Sequence, residues 1–499
     1  MPKRMMLGIA VVAVAWSGLA YAEVQPHALF TDGCVLQRDV SVPVWGKAKY
    51  GEKITVEFRG QKVEATADLN SHWLVHLQKM DAGGPFPMTI HGENAVTLTN
   101  VYVGEVWVCS GQSNMEFPLS KADNAEQALA AAHDPMLRLF FVPKATNDLP
   151  QYSVSAAWQL CESQSVARFS AVAYFFGRDL RKQLGVPVGL IESSWGGTYA
   201  EAWTDHETLE KVLPQAFDRY IDSLTTYDPK KAKEAQTKTI TKYKAAVAKA
   251  KAEGKAVPNA PRFPQDPRTS PNRPAVLYNA MLAPLQPYAI RGAIWYQGES
   301  NATHAKEYQT LFPAMIGDWR QTWGLGDFPF FFVQIAPFQS QPPEIREAQL
   351  IAWQNTKHTA MAVITDQGNA TNIHPTAKEP VGGRLALAAR AIAYGENIEY
   401  SGPVFKKMNV TDGKAILRFT HLGGGLEARG DALKGFTLAA VASTNFVPAE
   451  ATIVDDTVVV QSAAVQQPGA VRYGWANVPD VNLFNKAGLP ATPFRTDSE

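Results

Sequence analysis

Val106-Trp107-Val108-Cys109-Ser110-Gly111-Gln112-Ser113-Asn114-Met115 joins an apolar run to a glycine and then to a serine. The run reads as a buried strand. An α/β sheet places its ligands just beyond the C-terminal ends of its strands. A serine there has the free backbone N–H groups of a following helix start beside it, and these stabilise negative charge. That is the placement a nucleophilic serine needs. The motif is not Gly-x-Ser-x-Gly, so the nucleophile elbow of the α/β-hydrolases is absent.

Working outward, residues 101–400 alternate strand-like runs with helical stretches. The runs include Val188 to Ile191, Gly292 to Trp295, Phe330 to Ile335 and Met361 to Thr365. Helical patterns cover Ala171 to Gln183 and Gly382 to Tyr394. Such alternation predicts a parallel α/β sheet. Residues 23–100 read as all-β, sandwich- or jelly-roll-like, with short alternating runs between turn residues. Residues 401–499 return to β. An insertion spans about 205–275. Its Lys230 to Lys255 stretch holds nine lysines against two glutamates and reads as an exposed helix. Pro258 to Pro274 reads as a long loop.

Composition narrows the class. Lys plus Arg and Asp plus Glu both number 47, so no global basic field points to nucleic acid. Lys3 and Arg4, a short apolar run and Ala20-Tyr21-Ala22 read as a secretory signal peptide over residues 1–22. The run is too short for a membrane span, so a secreted or periplasmic protein is expected. Cys34, Cys109 and Cys161 leave at least one thiol unpaired. Their spacing is not that of a zinc site, and no cluster has metal-ligand spacing, so neither metal nor cofactor is expected.

A serine nucleophile needs a base. His72, His76 and His91 fall in the N-terminal β region, whereas His374 follows the run Met361 to Thr365 on another strand-to-helix loop. With all strands parallel, that loop shares the sheet edge of Ser113. Two more loops join the same edge. Glu192 to Thr198 contains Gly196-Gly197, which lets backbone N–H groups approach a ligand. Tyr296-Gln297-Gly298-Glu299-Ser300-Asn301 offers amides and a carboxylate, the donors an oxyanion hole uses among them.

At these four loops the chain resembles the sialate O-acetylesterase family of the SGNH hydrolase superfamily. The likeness rests on Ser-Gly-Gln-Ser-Asn-Met at 110–115, Ser-Trp-Gly-Gly-Thr at 194–198, Trp-Tyr-Gln-Gly-Glu-Ser-Asn at 295–301 and Ile-His-Pro at 373–375. It implies a three-layer α/β/α domain with a parallel central sheet and accessory β regions. It implies Ser113 as nucleophile and His374 as base. It implies an oxyanion hole from the Ser113 and Gly197 backbone with an amide from Gln297 or Asn301, Gln297 being preferred. Many relatives carry Asp two residues before the histidine, where this chain has Asn372. An amide does not stabilise an imidazolium as a carboxylate does. Either Asp366 or Glu299 orients His374, or a backbone carbonyl does, or the enzyme is weakened; the first is favoured.

The implied reaction is removal of O-acetyl groups from sugars by two-step acyl transfer. Trp195, Asn279 and Arg346 are the expected sugar contacts, with Arg346 suited to a sialic acid carboxylate. Trp203 and Trp295 also lie near the loops. Acetylated hemicellulose, xyloglucan or xylan, is the alternative substrate class. A non-catalytic carbohydrate-binding protein is the alternative of another kind.

Overall fold

The computed structural model describes residues 23–497 apart from 256, 259, 260, 262 and 264. The expected leader, residues 1–22, lies outside the described residues. Seven strands form the main path of an 11-stranded sheet: β1 Ala95–Gly111, β2 His133–Phe141, β3 Trp158–Glu162, β4 Val188–Ser194, β5 Gly292–Tyr296, β6 Phe330–Val333 and β7 Thr359–Ala362. Their spatial order is β3-β2-β4-β1-β5-β6-β7. Neighbours from β2 to β7 pair in parallel. β3 lies antiparallel to β2 at the edge. The sheet is therefore mixed, which corrects the expectation of a parallel one. The link from β2 to β3 contains no helix, and an antiparallel return does not need the helical crossover that parallel strands require.

Alternation along β1 assigns its two faces. Trp107 and Cys109 pack with α2 (Ala171–Leu184) and, through Val381 and Leu385, with the helix Glu379–Ala388. Val106 and Val108 join the core on the other face, which holds Phe312 and Trp319 of the helix Ala305–Trp323 and Ile345 and Ala348 of Pro343–Asn355. In chain order the helices used below are α1 Ser113–Glu116, α2, α3 Gln215–Thr226, α4 Pro229–Ala252, α5 Ala305–Trp323, α6 Pro343–Asn355 and α7 Glu379–Ala388. α2 begins where Ser170 Oγ accepts the Ala173 N–H at 3.1 Å and ends on Gly185 in the left-handed region.

The N-terminal β region is continuous with this sheet. Its strand Gly83–His91 pairs antiparallel with the first half of β1, so the boundary expected near residue 100 falls inside one strand. Val44, Val56 and Trp73 share a core with Trp295 and Trp319. The C-terminal region has two four-stranded sheets and a core of its own around Leu417, Leu438, Val458 and Val471. α4 exposes its lysines and buries no residue. All three cysteines are buried free thiols. Among the described residues, no helix is long and apolar enough to cross a membrane.

Candidate active site

β1 delivers the serine through a close strand crossing. Gly111 has φ +140°, and a Cβ there would sit 2.2 Å from the Tyr296 carbonyl oxygen. Gln112 then donates its N–H to that same oxygen at 3.0 Å. Only glycine allows β1 to leave the sheet this close to the end of β5. Ser113 is the first residue of α1, a four-residue turn. A turn so short has little macrodipole, so the stabilising groups are individual N–H donors. The Ser113 N–H donates to no protein acceptor among the described residues.

His374 reaches the serine from the loop after β7. Its Nε2 lies 2.8 Å from Ser113 Oγ. Asn369 and Asn372 shape that loop: Asn369 Oδ1 accepts the N–H groups of Thr371 and Asn372, and Asn372 Oδ1 accepts the N–H of His374 at 3.0 Å. These are Asx turns. The amide at position 372 thus serves the loop backbone.

The two carboxylates proposed to orient the imidazole have other partners. Asp366 makes a two-pronged ion pair with Arg384, at 2.7 and 2.6 Å, which holds its carboxyl below the usual range even though burial opposes this. Glu299 Oε1 accepts from Asn114 Nδ2 at 2.6 Å. Asn114 also donates to the Ile373 carbonyl at 3.0 Å and accepts from Lys378 Nζ at 2.5 Å. One buried amide therefore joins the serine turn, both ends of the histidine loop and the loop after β5. Burial pushes the Glu299 carboxyl up and pulls the Lys378 ammonium down to about 7. Lys378 escaped the sequence reading. Its signal is a lysine just before a helix start, where the dipole disfavours a cation.

The glycine loop packs directly on the serine. A Cβ at Gly196 would meet Ser113 Cβ at 3.0 Å, and the Gly196 N–H donates to Glu116 Oε2 at 2.7 Å. Gly197 has φ +78°, a Cβ added there would meet nothing within 4 Å, and its N–H has no protein acceptor among the described residues.

The amides at 297 and 301 lie elsewhere, which corrects their assignment to the oxyanion hole. Gln297 is fully buried and donates to Thr198 O and Asn301 Oδ1, while its own oxygen accepts from Tyr308. Asn301 donates to Glu201 and accepts from the Ala200 N–H. Two expected sugar contacts are also structural. Arg346 is fully buried and donates to the carbonyls of Gln341, Ala476 and Asn477. Asn279 is buried and donates to the Asn147 carbonyl at 3.2 Å. Trp203 and Trp295 are core residues in edge contact. Trp195, by contrast, lines a cleft of about 810 Å³ together with Ser113, Gly196, Gly197 and His374. The far wall comes from the insertion, through Arg219 and Tyr220 of α3 and Phe263, Pro267 and Asn272 of the following segment.

Comparison with known proteins places this geometry. A family model described as carbohydrate esterase, sialic acid-specific acetylesterase matches residues 270–391. The chain is 31% identical to the sialate O-acetylesterase of Mus musculus over 92% of each chain. It is 30% identical to that of Homo sapiens, over 84% of this chain and 80% of the relative. A solved carbohydrate acetylesterase from Xanthomonas citri is 39% identical, with a TM-score of 0.81 over 96% of this chain and 100% of the other. Fold, cleft and likeness together define a carboxylic ester hydrolase. Within that class, the chain belongs to the sialate O-acetylesterase family.

Proposed function

We propose that the protein is an exported serine esterase that removes O-acetyl groups from sugars. The observation that carries this is the 2.8 Å contact between His374 Nε2 and Ser113 Oγ at the wall of the cleft. His374 takes the serine proton as Oγ attacks the acetyl carbonyl. The tetrahedral oxyanion is received by the N–H groups of Ser113 and Gly197. His374 then protonates the departing sugar hydroxyl. Water then gives a proton to His374 as it attacks the acetyl carbon, and the bond to Ser113 Oγ breaks as His374 returns that proton to Oγ, releasing acetate and restoring Ser113. The signal-peptide pattern at residues 1–22 supports export.

The family likeness supports O-acetylated sialic acid as substrate. The burial of Arg346 against backbone carbonyls favours a second reading, neutral acetylated oligosaccharides of the hemicellulose type, because the arginine expected to pair a substrate carboxylate is occupied. The cleft volume of about 810 Å³ also suits more than one sugar ring. The test is acetate release from O-acetylated sialic acid and from an acetylated xyloglucan oligosaccharide, with Ser113→Ala as the blank. Release from the first alone supports sialate specificity, and release from the second alone supports the neutral substrate. Equal turnover by Ser113→Ala removes the serine mechanism.

A further inference from the structure

We propose that Asn272 is a positioning residue for the oxyanion-binding loop, so that the segment closing the cleft takes part in the chemical step. This rests on the serine esterase reading and on the role of the Gly197 N–H within it. In residues 195–200, four backbone amides are committed. The Trp195 N–H goes to Gly111 O at 3.1 Å and that of Gly196 to Glu116. The Tyr199 N–H goes to Asn272 Oδ1 at 2.9 Å, and the Ala200 N–H goes to Asn301. The N–H groups of Gly197 and Thr198 remain. Gly197 has no side chain to pack, and a Cβ added there would meet nothing within 4 Å. Its direction is therefore set by the peptides on either side.

Glu116 fixes the peptide before it. Asn272 fixes the two after it, because its Nδ2 also donates to the Gly197 carbonyl at 3.2 Å. Donor and acceptor of a single amide thus bridge Gly197 and Tyr199 in a geometry that water cannot hold rigid. Asn272 is itself held, since its N–H meets Ser270 Oγ at 3.1 Å and the next residue, Arg273, pairs with Asp148. An oxyanion donor works only when it is aimed before charge develops, so a loosened peptide costs rate.

The experiment compares Asn272→Ala and Asn272→Asp with the full-length enzyme on 4-nitrophenyl acetate and on a sugar acetate. The small ester carries no sugar, so a pure sugar contact would leave its turnover untouched. Positioning predicts that kcat falls about 10- to 100-fold on both substrates, with KM changed less than threefold. Asn272→Asp keeps the acceptor for Tyr199 but sets a carboxylate against the Gly197 carbonyl. Protonation restores a donor, so its kcat relative to the parent enzyme rises as pH falls through the carboxyl pKa. A KM effect confined to the sugar ester overturns the proposal and makes Asn272 a substrate contact. Unchanged kcat in both variants, with Ser113→Ala inactive, overturns it while leaving the esterase reading intact. Activity retained in Ser113→Ala removes the reading on which it rests. Loss of folding, seen by circular dichroism in Asn272→Ala, shifts the decision to the pH response of Asn272→Asp.

Discussion

Lys378 Nζ stands 2.5 Å from Asn114 Oδ1, one residue past the serine that faces His374. A lysine this deep is held by an amide and a nearby carboxylate, in a network that joins the serine turn, the histidine loop and the loop after β5. Burial lowers its pKa to about 7. The unfolded chain keeps that proton up to about 10.4. Between those values the unfolded state binds more protons than the native one, so this group makes stability rise with pH across that window. Lys378→Met should flatten the rise. Denaturant melts at several pH values between 7 and 10 check this, and an unchanged slope would contradict it.

Glu299→Gln and Asp366→Asn separate the network from the base. The partners of these carboxylates are Asn114 and Arg384. Each variant should therefore keep kcat within about tenfold, against the ~10⁴-fold loss expected when a carboxylate that orients the catalytic histidine becomes an amide. Asp366→Asn should instead lower stability by about 1–3 kcal/mol, because Arg384 loses its counter-ion in a mostly buried place. Steady-state kinetics beside chemical melts read both effects, and a ~10⁴-fold loss in either variant would assign it the orienting role.

Gly111→Ala tests the strand crossing. The new methyl would meet the Tyr296 carbonyl at 2.2 Å, and the backbone there lies at φ +140°. Both costs fall on the step that presents Ser113. The variant should lose several kcal/mol of stability and most of its esterase activity. Gly185, at a helix end with open space around it, is the control: Gly185→Ala should cost only about 1 kcal/mol. Comparable melts for the two variants would refute the crowding argument.

Arg346→Lys asks whether that arginine reads substrate or supports the scaffold. It donates to backbone carbonyls of Gln341, Ala476 and Asn477, and a lysine cannot reproduce the planar fork. Stability should fall by about 2–4 kcal/mol. The ratio of kcat/KM between acidic and neutral sugar acetates should stay within twofold of the parent. A selective loss on the acidic substrate would restore Arg346 to the binding site.

Parts of the site were legible because of topology. Parallel strands send their C-terminal loops to one edge, so Ser113, Gly197 and His374 were found from strand–loop order and brought together as expected. Side-chain commitments were not legible. Gln297 and Asn301 have the right chemistry for an oxyanion hole, but they answer to Thr198, Ala200 and Glu201, which no spacing rule connects to them. Arg346 was misread because a buried arginine ordinarily has a carboxylate, whereas its acceptors here include a carbonyl 130 residues downstream. Asn272 was passed over for the same reason: its partners lie 73 and 75 residues earlier in the chain. The domain boundary expected between residues 100 and 101 falls inside β1, because strand pairing runs on through a stretch where the sequence changes character.

That ladder has a consequence for how the molecule can be divided. β1 is 17 residues long, about 55 Å of extended chain. Its first half closes the N-terminal sheet and its last residue releases the serine turn. A cut or graft junction inside Ala95–Gly111 would tear the lattice of both halves at once. The amino-terminal part is thus no detachable module. It should melt in one cooperative transition with the hydrolase sheet, and shuffling between relatives must place its seams outside this strand.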